Sequence, residues 1–72
     1  MILSEANVLT PLFIDKIQGD EKMIRHLQTM GLTSGMEIVL LRNDNGAVVL
    51  RVCDSRIALD KKAAMSIEVL VK

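Results

Sequence analysis

The dipeptide Asn45-Gly46 constrains the fold of this chain more than any other feature. It lies between two apolar, β-branched runs, "MEIVLLR" (36–42) and "AVVLRVC" (47–53). Asn and Gly both tolerate the positive φ angles of a type I′ turn, the tight reversal whose twist matches that of paired strands. "NDNG" (43–46) therefore predicts an antiparallel hairpin, and the other segments must be arranged around it.

Three further runs read as strands. "LFIDKI" (12–17) is short and β-branched and ends at Gly19-Asp20. Asp54-Ser55 can reverse the chain into "RIALD" (56–60), and "SIEVLV" (66–71) alternates with Ile67, Val69 and Val71 on one side. "KKAAM" (61–65) is too short for a free-standing helix and reads as a helical turn before the last strand. "LSEA" (3–6) makes a similar turn near the start, and Pro11 interrupts any helix beyond it.

Only "EKMIRHLQTM" (21–30) reads as a full helix. Asp20 is its expected N-cap, and Glu21 places negative charge where the helix dipole favours it. Met23, Ile24, Leu27 and Met30 share an arc of roughly 120°, with Lys22, Arg25, His26 and Thr29 opposite. Gly31 stands where a left-handed residue ends a helix, and Gly35 suits the positive-φ position of the "TSG" turn (33–35). Five short strands with one helix between the first two imply a mainly β fold, a small barrel forming one domain over residues 1–72.

Composition narrows the function. A chain of 72 residues buries only about 60% of the surface its unfolded form exposes. With Phe13 as the single aromatic, the core must be aliphatic. Nine basic and nine acidic residues cancel, so neither the basic footprint nor the stacking aromatics of nucleic-acid binding is present. One cysteine forms no internal disulfide and fits a reducing compartment. The N-terminus lacks the basic region and cleavage site of a signal peptide, and no apolar run approaches the ~20 residues of a membrane span. A soluble cytoplasmic chain is expected. Exposed apolar residues on so small a barrel would favour weak self-association.

No catalytic constellation emerges. His26 falls on the polar helix face with no ligand at i+3 or i+4, so it reads as a solvated side chain rather than a metal ligand. Cys53 ends an apolar strand, far in sequence from the only histidine, and reads as a small buried or half-buried side chain. Five methionines fill gaps in an aromatic-poor core. "DSRIALDKK" (54–62) reads as a solvated charged edge. No phosphate-binding loop, nucleophile elbow or paired Cys-x-x-Cys occurs. The expectation is a non-enzyme with no catalytic residues, no metal site and no cofactor.

The stretch "RHLQTMGLTSGMEIVLLR" (25–42) resembles the R-x-L-x-x-(L/M)-G-L-x-(P/S)-G-x-x-(I/V) pattern of the FeoA family, small accessory proteins of bacterial ferrous iron transport. Arg25, Leu27, Met30, Gly31, Leu32, Gly35 and Ile38 carry the match. "GAVVLRVCDSRIALDKKAAMSIEV" (46–69) is similar to that family's closing pattern, and "LSEA" also fits. Ser34 stands where proline is common, and "NVLTPL" lacks the glycine often found after the first turn.

The resemblance implies an SH3-like barrel with a helix inserted after the first strand. Gly31, Gly35, Asn45 and Gly46 are then structural turn residues. It also implies a supporting role beside FeoB, the membrane Fe(II) transporter with a cytosolic GTPase domain, through protein–protein contact. Met23, Leu27, Met30 and Leu32 are the candidate partner-binding residues. Arg25, Arg42, Arg51 and Arg56 could each reach into a partner's GTPase site, and the sequence selects none of them. A second reading is a free-standing metal-responsive regulator, since the same barrel resembles the C-terminal domain of iron-dependent repressors. That reading would require His26 to be a ligand.

Overall fold

The computed structural model describes Met1–Lys72. After a 3-10 turn at Leu3–Glu5 come β1 (Pro11–Ile17), α1 (Glu21–Thr29), β2 (Glu37–Asp44), β3 (Ala47–Val52), β4 (Ser55–Leu59), α2 (Lys61–Met65) and β5 (Ile67–Val71). All neighbouring strands are antiparallel, in the order β4-β3-β2-β1-β5. This is the five-stranded arrangement with an inserted helix that the sequence implies.

Alternation sets the core. Leu12 and Ile14 on β1, Ile38 and Leu40 on β2, Val48, Leu50 and Val52 on β3, and Ile67 and Val69 on β5 all point inward and are buried. Leu3, Leu27, Leu32, Ala63 and Ala64 seal the ends of this aliphatic core, and it contains no aromatic ring and no charged side chain. The outer strands β4 and β5 do not pair with each other, so the barrel is partly open. Met1 and Ile2 meet the far edge of β5: Ile2 bridges to Glu68, and the Val69 N–H donates to the Met1 carbonyl at 2.7 Å.

The hairpins follow from register. Asp44 pairs with Ala47, leaving Asn45 (φ 53°) and Gly46 (φ 101°) as a two-residue turn. β2 therefore runs two residues past the expected Arg42. At the tip, the Asn43 Oδ1 accepts from the Gly46 N–H at 2.9 Å, and its Nδ2 donates to the Ser4 carbonyl at 3.0 Å. Gly46 is also short of space, since an added Cβ would lie 2.7 Å from the Lys61 Cγ.

The second hairpin corrects the reading of Cys53. Val52 pairs directly with Ser55, so Cys53 and Asp54 form the turn, not Asp54 and Ser55. Val48, Leu50 and Val52 occupy the inward positions of β3, and that register pushes Cys53 out of the strand into an exposed turn position with φ 55°. Asp60, read as part of a solvated charge cluster, caps α2 by accepting from the Ala63 N–H at 2.9 Å.

Candidate partner-binding surface

The junction of α1 and β2 is built from the backbone up. The Asp20 Oδ1 accepts from the Met23 N–H at 2.8 Å and fixes the start of α1. At the other end, the Gly31 N–H donates to the Gln28 carbonyl at 2.9 Å and the Leu32 N–H to the Leu27 carbonyl at 3.1 Å. These two bonds define a Schellman motif with Gly31, at φ 87°, in the left-handed C′ position. The motif usually carries an apolar contact between its flanks, and here Leu27 and Leu32 are both fully buried.

Four residues later the chain turns again. The Met36 N–H donates to the Thr33 carbonyl at 3.2 Å across Gly35, whose φ of 89° suits the third position of a type II turn. The Gly35 N–H donates to the Ile14 carbonyl at 2.7 Å, and the Ile14 N–H to the Met36 carbonyl at 2.9 Å. The corner is thus fastened to β1, and the helix is held at one end of the barrel.

This geometry divides the candidate contact residues. Leu27 and Leu32 have no exposed surface and cannot touch a partner in this conformation. Helix amphipathicity puts Leu27 on the apolar face but does not say how deeply the barrel covers it, and Leu32 lies beyond the helix end. Met23 and Met30 are half-buried and lean against the core, leaving part of each side chain accessible. His26 is exposed on the polar face of α1. No group of three His, Cys, Asp or Glu side chains converges closely enough to hold a metal ion.

The outer face of the sheet carries a second arrangement. Arg51 on β3 pairs across to Arg56 on β4, and on its other side to Val39 on β2, which pairs with Pro11 on β1. The adjoining row runs Leu70, Phe13, Glu37. Arg25 and Arg42 are engaged by Glu21 (3.1 Å) and Asp44 (2.7 Å), and Lys72 by Glu37, but Arg51 and Arg56 form no ion pair. With the second turn placed at Asp54-Ser55, the sequence reading could not bring these two arginines opposite each other.

A family model described as the FeoA domain matches residues 1–71. None of the curated proteins matches the chain. A crystal structure of an iron uptake regulatory protein (FeoA) is 28% identical, with a TM-score of 0.85, covering 97% of this chain and 93% of that one. The solution structure of iron(II) transport protein A from Clostridium thermocellum is 27% identical with a TM-score of 0.89; the match covers 99% of this chain and 45% of that one. A manganese-dependent transcriptional repressor in complex with manganese reaches a TM-score of 0.92 at 17% identity, over 36% of its length, which is a likeness of fold.

Proposed function

Because the chain belongs to the FeoA family, non-catalytic accessory proteins of iron transport, we propose that it docks on FeoB and modulates its GTPase or transport activity. The contact is protein to protein, on the cytosolic GTPase domain of the transporter, which places this chain in the cytoplasm. No helix is long and apolar enough to cross a membrane. The FeoA-domain match over residues 1–71 carries this reading. The absence of a phosphate-binding loop in the sequence assigns any GTP hydrolysis to the partner.

The regulator reading draws on likeness of fold alone. It also needs His26 as a ligand, and the exposed His26 neighbours Lys22 and Arg25 on the helix, an unfavourable setting for a cation.

The test is an amide NMR titration of the labelled protein with the soluble GTPase domain of its cognate FeoB, with and without a GTP analogue. Localised shifts are expected, together with an altered rate of GTP hydrolysis. A flat titration up to about millimolar partner, the weak end of meaningful affinity, would refute docking on that domain.

A further inference from the structure

We propose that the outer face of the sheet, centred on Arg51 and Arg56, is a docking surface for an acidic segment of a partner protein that also carries an apolar side chain. This rests on the reading of the chain as a docking module.

The first observation is electrostatic. Arg51 and Arg56 are exposed and directly opposite one another, which places their Cβ atoms about 5 Å apart. Like charges in that relation repel. The fold could relieve the repulsion with a carboxylate and does not. Asp54, in the intervening turn, forms an ion pair with neither, and Glu37 on β2 is turned to Lys72. Arg56 by itself is explained as protection of a free sheet edge, where charge discourages strand addition. Arg51 lies on β3, an interior strand with partners on both sides, so that explanation does not reach it.

The second observation is apolar. The solvent-facing side of an antiparallel sheet is ordinarily polar. Here it presents Pro11, Val39 and Leu70, the last 53% exposed, together with Phe13. Phe13 is the only aromatic residue of the chain, and it lies outside the core, half-buried against this face. Beside Arg51 is a recess of about 390 Å³ bordered by Met36, Val39 and Cys53, with Glu37, whose charge is met by Lys72, also on its rim. That volume is at the small end of ligand pockets, enough for a side chain or two.

Charge complementarity selects the occupant. Two guanidinium groups with free donors can each grip a carboxylate in bidentate fashion, and the Met36, Val39 and Cys53 side of the recess takes the apolar side chain between. A nucleic acid would want a broader basic field and more stacking surface than a chain of zero net charge with one aromatic provides.

The test begins with a probe that does not depend on FeoB. A synthetic peptide alternating Glu with Leu is titrated into the labelled full chain, alongside the same peptide with Lys in place of Glu. The Glu peptide should move the amides of Val39, Arg51, Arg56 and Phe13, more strongly at low salt. The Lys peptide should not. The double variant Arg51→Glu/Arg56→Glu should lose about tenfold or more in affinity for the Glu peptide while keeping the far-UV circular dichroism of the parent. Equal response to both peptides, or shifts confined to α1, would overturn the proposal. Broadening of the same amides by phosphatidylserine vesicles without a response to the Glu peptide would overturn it in favour of a lipid surface.

The FeoB GTPase domain is then titrated with and without the Glu peptide as competitor. Loss of FeoB-induced shifts on competition supports the proposal. FeoB shifts at α1 that the peptide leaves untouched would reject this face while preserving the docking reading. Peptide binding at the arginines with no response to FeoB would support an acidic partner at this face and reject FeoB as that partner.

Discussion

Replacing Gly31 by alanine isolates a backbone cost almost free of steric complications. A Cβ built at Gly31 meets no heavy atom within 4 Å, so the new methyl has room. The difficulty is the φ of 87°, which an L-residue reaches only with strain. A left-handed conformation costs an L-residue about 1–2 kcal/mol, and the substitution also loosens the two Schellman bonds to Gln28 and Leu27 if the backbone relaxes. For a domain of this size each kcal/mol moves Tm by about 4–8 °C, so Gly31→Ala should melt roughly 5–15 °C lower. The chain has neither tryptophan nor tyrosine, so urea and thermal unfolding are best followed by far-UV circular dichroism. A D-alanine at position 31, introduced by chemical synthesis, provides the control. It favours positive φ and restricts the unfolded chain, and should raise stability by about 0.4–1 kcal/mol. An L-alanine variant as stable as the parent, or a D-alanine variant as damaged as the L form, would show that the left-handed backbone is not what glycine supplies here.

Leu27→Ala removes the one fully buried residue of α1 and should cost about 2–5 kcal/mol, a large share of a marginal domain's stability; a loss of unfolding free energy in urea under about 1 kcal/mol would contradict the packing described. Asp20→Ala and Asp60→Ala each delete an N-cap and should destabilise by about 1 kcal/mol, additively because the two caps serve different helices; double-variant unfolding checks this. The Cys53 thiol, exposed in a turn, should react with a disulfide reagent in the native state as fast as in urea, and protection of the native thiol would restore the buried reading.

The parts of the fold visible in the sequence are those whose chemistry is local. Asp20 caps a helix whose first amides are three residues away, Gly31 ends it, and Asn45-Gly46 reverses the chain between two alternating runs. Each of these is decided within about five residues. The misreading of Cys53 came from a boundary, because alternation alone does not show whether a strand's last apolar letter is paired. That one-residue error also hid the apposition of Arg51 and Arg56, since a hairpin's register follows from its turn. Leu27 and Leu32 read as candidate contact residues because they are apolar, but their full burial depends on how the helix sits against strands distant in sequence. The links from Asn43 to Ser4, and from Met1 to Val69, join residues far apart in the chain and leave no local trace.

The placement of β1 between β2 and β5 bears on how the molecule comes to exist. Strand β1, the first of the fold, has on one side only β5, the fifth strand, for a partner. While a ribosome is still adding residues, β1 can join the β2–β3–β4 meander, yet its other edge stays bare until Ile67–Val71 emerges. Closing a loop that spans most of the chain is slow compared with forming hairpins. In that interval Ile14 lacks Val69, the residue opposite it, and Leu12 lacks Val71. The nascent chain thus passes through a stage in which its sheet has an extendable apolar margin, and the arrival of β5 ends that exposure.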